Sequence, residues 1–283
     1  MPTKIEWTDE VLEVTGGCTK CSVGCEHCWA IKEVWRMAHN PRLGDKWKGL
    51  VEKKNGVLNW TGGIKLFEDA REIPLKRKKP TTYFIVSKAD LFHPKVPFEF
   101  IDKVISIIAL CPQHTFQVLT KRPEIMCRYF GKDYQRTRSD NINKLMQIIK
   151  RSPYYFIQDC CKGSMTLPNL WLGVTVEHPD YKNRADILRQ IPAAKRFISF
   201  EPLLADMGEV NLEGIDWVII GCESGPHRRP CKLEWVRNLV RQGQAAGAAV
   251  FVKQLNINGR VSHSMAEWPV DLRVREYPLK DKQ

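Results

Sequence analysis

The sequence predicts an α/β protein built as a parallel (βα) barrel, complete or partial. Two observations carry this. Short β-branched or aromatic runs alternate with helical periods, and the runs are continuously apolar, as strands covered on both faces of a parallel sheet are. Six of the runs end in polar residues, and in such a barrel the C-terminal strand ends share one face, where sites are built. About eight strands in some 250 residues suit that architecture. An open doubly wound sheet is the alternative, although no G-x-G-x-x-G follows a first strand.

The elements follow in order. Residues 10–14 and 64–67 are the weaker strand candidates. Residues 82–87 read as a buried strand, and 98–110 as a helix with apolar residues at three- and four-residue spacing. A strand at 114–119 precedes the turn Lys121-Arg122-Pro123 and another helix. Residues 129–168 are polar, basic and irregular around one helix at 141–150, an insertion in the barrel. Then come a strand at 170–176, a helix at 181–191, strands at 196–200 and 216–220, a helix at 233–246 and a strand at 249–252. The expected organisation is one domain over 1–255, with 256–283 as a peripheral extension.

The chain has 283 residues, 43% of them hydrophobic, and 10 cysteines. Its longest apolar runs, 104–110 and 217–221, are too short to cross a bilayer. No apolar run opens the chain, so a reducing cytoplasm is expected, with cysteines as thiols or metal ligands. The net charge of +12 favours polyanionic partners, nucleic acid above all. Basic residues cluster at 71–79, at Lys121-Arg122, at 128–138 with Tyr129, Phe130 and Tyr134 interleaved, and at His227-Arg228-Arg229. A merely solubilising surface is the competing reading, and no zinc-finger, RRM or basic-zipper pattern is present.

Four cysteines fall within eleven residues: Cys18, Cys21, Cys25 and Cys28. Thiolates at gaps of two, three and two can converge on one metal or cluster, whereas disulfides at that density are awkward. Cys21, Cys25 and Cys28 have the spacing of the CxxxCxxC signature of radical S-adenosylmethionine (SAM) enzymes. A structural zinc site, a four-thiolate electron-transfer cluster and unliganded thiols stay open as alternatives. Cys111, Cys127, Cys160, Cys161, Cys222 and Cys231 lack ligand spacing and read as ordinary thiols.

The polar strand ends are Ser87-Lys88-Ala89-Asp90, Thr120-Lys121-Arg122, Thr175-Val176-Glu177, Ser199-Phe200-Glu201-Pro202, Gly221-Cys222-Glu223-Ser224-Gly225 and Lys253-Gln254. Any one of them can be a helix cap; six together point to a common site. The candidate catalytic residues are Glu177, Glu201, Glu223 and Lys253. Ser87, Asp90, Thr120, Lys121, Thr175, Gly221, Ser224 and Gln254 join them as candidate cofactor contacts, with Gly221 and Gly225 allowing close backbone approach.

Together these residues resemble a phage-associated family of three-cysteine-motif, radical-SAM-like proteins. The resemblance runs through Ile5-Glu6-Trp7-Thr8-Asp9, Thr15-Gly16-Gly17-Cys18, Gly24-Cys25-Glu26-His27-Cys28-Trp29-Ala30 and Asp90-Leu91-Phe92-His93. It continues at Phe116-Gln117-Val118-Leu119-Thr120-Lys121-Arg122-Pro123, Trp171-Leu172-Gly173-Val174-Thr175-Val176-Glu177, Glu201-Pro202-Leu203-Leu204, Asp216-Trp217-Val218-Ile219-Ile220-Gly221, Glu223-Ser224-Gly225 and Phe251-Val252-Lys253-Gln254. It implies a [4Fe–4S] cluster on three thiolates, bound SAM and an electron donor such as flavodoxin or ferredoxin. The family pattern matches Cys18, Cys25 and Cys28; the wider superfamily spacing matches Cys21 in place of Cys18. The GGE sequence that holds the SAM amine in many superfamily members is replaced here by Gly221-Cys222-Glu223. With the basic charge, the resemblance implies an enzyme acting on a nucleotide or nucleic acid, in base modification or lesion repair. A non-enzymatic nucleic-acid-binding protein with a structural zinc or iron–sulfur site is the alternative.

Overall fold

Leu170–Thr175 is buried at every position, and the rest of the main sheet repeats that pattern. The structure is a computed structural model that describes residue 3, residues 5–149 and residues 166–278. Its main sheet has eight strands in chain order: β1 (Glu10–Leu12), β2 (Thr82–Ile85), β3 (Thr115–Thr120), β4 (Leu170–Thr175), β5 (Lys195–Phe200), β6 (Trp217–Gly221), β7 (Ala249–Ile257) and β8 (Arg260–Ser262). β1 to β7 are mutually parallel, and β8 runs antiparallel to β7. The mixed α/β class and the parallel sheet are as expected. Closure is not seen: among the described residues β1 pairs within this sheet only with β2 and β8 only with β7, so the sheet is open.

Among the described residues six α-helices of seven or more residues accompany the strands: α1 (Trp29–Ala38), α2 (Phe98–Ala109), α3 (Pro123–Phe130), α4 (Lys132–Ile149), α5 (Asn183–Arg189) and α6 (Leu233–Ala245). Ile101, Ile105 and Ile108 of α2 share one helix face. They are buried in the same cluster as Ile85 of β2 and Val118 of β3, and each stabilises the fold by about 2 kcal/mol relative to exposure. Alternate strand residues point the other way. Phe84, Trp171, Phe197, Trp217 and Phe251 gather there around Trp7. The Trp7 ring lies 4.7 Å from Phe84 of β2 and 6.0 Å from Trp217 of β6. Strands four places apart in a flat sheet are separated by roughly 19 Å, so the sheet curls around this indole.

Three expectations change. Residues 64–67 do not enter the main sheet: Lys65–Leu66 pairs antiparallel with Thr15–Gly16, where the chain leaves β1 for the cysteine loop. The eighth strand comes instead from the tail, through a two-residue turn at Asn258-Gly259 with φ of 48° and 75°, the geometry that suits Asn-Gly in hairpins. The tail is also less peripheral than expected, since it buries Trp268 and Leu272 and accepts a hydrogen bond from Trp217 Nε1 at Glu276 O (2.9 Å).

The insertion is helical over Lys132–Ile149, so its described part is more regular than the composition suggests. The aromatic residues interleaved with the basic stretch at 128–138 do not line a basic surface. Tyr129 and Phe130 are buried, and Tyr129, Tyr134 and Asn141 all donate to the Asp102 carboxylate at 2.8 Å. Cys160 and Cys161 lie outside the described residues.

Candidate functional site

Gly17 takes φ of 89° and starts the cysteine loop. A Cβ there would come within 2.2 Å of Gly63 O, so only glycine fits. The loop then crosses the C-terminal ends of the parallel strands. It makes one 3₁₀ turn at Val23–Cys25 and enters α1 straight after Cys28.

Glu177, just beyond β4, is fully buried and fastens the loop. Its Oε1 accepts from the Ser22 hydroxyl and from Lys121 Nζ (2.9 Å), and its Oε2 from Arg184 Nη1 of α5 (2.9 Å). Burial opposes its ionisation, but Lys121 and Arg184 outweigh that and hold its carboxyl below the usual range. A Cβ on Gly24 would lie 2.7 Å from both Glu177 Cγ and Lys121 Nζ. The loop can settle this deeply because residue 24 has no side chain.

Glu223, beyond β6, grips the other flank. It accepts from the Arg229 backbone N–H (2.7 Å) and guanidinium, and lies 3.1 Å from His27 Nδ1. Arg229 in turn donates to Val23 O (2.8 Å). Burial raises the Glu223 carboxyl, yet the Arg229 hydrogen bonds bring it below the ordinary value.

Asp90 and Arg122 close the third side. Asp90 accepts from Thr120 Oγ1 (2.7 Å), Phe92 N (3.0 Å) and Arg122 Nη1 (2.9 Å). Arg122 also donates to Thr19 O (2.8 Å) and stands 3.8 Å from Cys18 Sγ.

Cys18, Cys25 and Cys28 are half-buried, Cys21 is exposed, and none of the four is in a disulfide. A hydrogen bond from Cys21, with the Lys121 charge beside it, lowers the Cys25 thiol to about 4. Burial pushes Cys18 up to about 12 and also raises Cys28. The donor set has the chemistry to hold an iron–sulfur cluster, with flanking cations to offset thiolate charge. Among the described residues, however, no three His, Cys, Asp or Glu side chains stand together as a formed metal-binding group.

The last pair at this rim leaves the loop untouched. Glu201, beyond β5, and Lys253 of β7 form an ion pair. β7 runs further than expected, so Lys253 and Gln254 lie inside it. The register moves from Ile220↔Val252 to Gly221↔Gln254. Lys253 is therefore the extra residue of a β-bulge, a device that re-aims side chains.

Of the other residues expected here, Ser87 donates to Glu13 (2.5 Å), Thr175 is buried with its carbonyl taken by Arg184 (2.8 Å), Gln254 donates to Cys222 O (2.7 Å), and Ser224 is exposed. Arg228 reaches Gly225 O and Gly259 O, away from the loop. Thus Glu177, Glu223, Lys121, Asp90 and Thr120 are engaged in holding the loop and its supports. Sequence reasoning missed Ser22, Arg184, His27 and Glu13. Only Glu13, close to the end of β1, carried the strand-end signal that could have found it. Clefts of about 490 and 580 Å³ lie elsewhere, beside α1 and at the start of β6; the chemistry-bearing residues converge on the loop instead.

A family model described as a protein of unknown function (DUF5131) matches residues 2–268. No curated protein and no solved structure matches the chain.

Proposed function

We propose, from the premise that the chain belongs to the DUF5131 family, that it is an iron–sulfur enzyme of the radical-SAM type acting on a nucleotide or nucleic acid. The observation that carries this reading is the seating of four cysteines, none of them in a disulfide, on the C-terminal ends of a curled parallel sheet. The open sheet then corresponds to a partial (βα) barrel. Cys25 and Cys28 would hold the cluster with either Cys18 or Cys21. When bound, such a cluster supplies single electrons for reductive cleavage of SAM.

The chain's own residues have divided tasks in this reading. Glu177 and Glu223 are positioning residues that fix the loop. Lys121 and Arg122 place positive charge beside Cys25 and Cys18. Glu201 and Lys253, which do not bind the loop, are the pair left to meet SAM or substrate. The net charge of +12 supports a phosphate-bearing substrate. No helix among the described residues is long and apolar enough to cross a membrane.

Isolation without oxygen, with iron, sulfide and zinc analysis, tests the reading. About four irons and four sulfides per chain are expected of a [4Fe–4S] protein. Stoichiometric zinc without sulfide after anaerobic reconstitution would replace it with a structural metal site.

A further inference from the structure

Trp7, Trp47, Trp60, Trp171, Trp217 and Trp268 are all buried, yet Trp29 is 49% exposed. It follows Cys28 directly and opens α1. Lys88 Nζ lies 5.8 Å from its ring centre, anchored by Glu13 at 2.8 Å. Lys32 and Arg36 are exposed three and seven residues further along α1, on the same helix face as Trp29. Arg36 pairs with Glu33 on that helix. The face thus carries one open aromatic ring followed by two cations.

We propose that Trp29 is a stacking platform for an unpaired base of a single-stranded nucleic acid, with Lys32 and Arg36 beside its phosphates. A flat indole accepts any base by stacking, and cations along the strand's path neutralise its backbone. Lys32 and Arg36 are about 6 Å apart along the helix axis, so each can serve a different phosphate of an extended strand. A lipid surface would call for further apolar residues around the indole, and this face offers charge instead. The proposal rests on the reading of the substrate as nucleic acid. It adds where the strand lies: next to Cys28, along α1.

The test uses the full chain prepared without oxygen. Binding of labelled oligothymidylate, oligouridylate and free thymidine monophosphate is measured over a range of salt. Trp29→Ala should weaken oligonucleotide binding about tenfold with an unchanged salt slope, and Trp29→Phe should keep most of the affinity. Lys32→Ala with Arg36→Ala should flatten the slope by roughly 0.7 for each phosphate that is no longer neutralised. Comparison of the two oligomers tells DNA from RNA. Unchanged affinity in Trp29→Ala overturns the proposal, as does weaker binding accompanied by a flatter slope. Equal binding of the mononucleotide, or Trp29-dependent binding to anionic vesicles without oligonucleotide binding, overturns it too. Iron and sulfide contents of the same preparations report on the cluster independently.

Discussion

Glu201 and Lys253 form their ion pair across an intervening strand, over Gly221 of β6. A Cβ at Gly221 would lie 3.3 Å from Glu201 Cγ and 3.6 Å from Gln254 Cγ, so the pair closes over a position where a methyl group would be crowded. Gly221→Ala should cost about 1 kcal/mol of stability, at the mild end of overpacking because the Glu201 side chain can shift. It should also shrink the coupling measured in a Glu201→Ala, Lys253→Ala double-mutant cycle. Such cycles return about 0.5–3 kcal/mol for residues in contact. A coupling of the same size in the glycine and alanine backgrounds would show that Gly221 does not govern the pair.

The cysteines should not be equivalent. Cys25→Ala and Cys28→Ala are each expected to abolish iron retention in anaerobically prepared protein, whereas only one of Cys18→Ala and Cys21→Ala should do so. If all four proved necessary, no iron would be left open to SAM. An electron-transfer or structural role would then take the place of catalysis.

Glu177 predicts a local and a global effect that can be separated. Glu177→Ala leaves the buried Arg184 without its carboxylate and should cost about 3–5 kcal/mol in chemical denaturation. Gly24→Ala should act locally: the added methyl meets Glu177 and Lys121 and lifts the loop. Hydrogen exchange at residues 18–28 should then rise by at least tenfold while the denaturation midpoint changes little. Protection of the loop equal to that of the unsubstituted protein would contradict this packing.

Acid sensitivity should come from a histidine. His93 is 2% exposed, hydrogen-bonds Thr19 through Nε2 (3.0 Å) and accepts from Lys95 N through Nδ1. Burial first, then the Arg122 charge, lowers it to about 4, with Lys95 acting the same way and Asp90 opposing. A group that binds its proton less readily when folded contributes stability that is complete above its unfolded value of about 6.5. That contribution is lost as pH falls from there toward 4. The urea midpoint should therefore drop between pH 7 and pH 5, above the range where the carboxylates titrate. His93→Gln should flatten part of that drop, the buried His114, also lowered by burial, accounting for the rest. An identical pH profile in His93→Gln would refute the assignment.

The parallel strands were legible because burial on both faces leaves an unbroken apolar run, as in Leu170–Thr175. Their polar ends were legible for the converse reason. Two hairpins, Val51–Lys54 paired with Val57–Trp60 and β7 paired with β8, were not foreseen, although Asn55-Gly56 and Asn258-Gly259 both mark two-residue turns with positive φ. The strands around them are short and partly polar, so periodicity gave no signal. The basic, aromatic stretch near Tyr129 misled because composition cannot tell a stacking surface from a core: the rings face Asp102, about thirty residues earlier in the chain. Within the site, the division of Glu177 and Glu223 from Glu201 depended on partners such as Ser22 and His27, which lie 155 and 196 residues from the carboxylates they meet. Pairing over such distances leaves no local pattern.

Trp7 carries a consequence for the order of assembly. Its contacts with Phe197 and Trp217 join segments roughly 200 residues apart, and contacts of that separation form late because a long loop must first be closed. On the ribosome, the segment around Trp7 has to wait, its indole covered on one side by Phe84 alone, until β6 has emerged. Trp7 thus gains its full set of ring neighbours late, and a chain stalled before residue 217 exposes an aromatic surface that invites chaperone capture or aggregation.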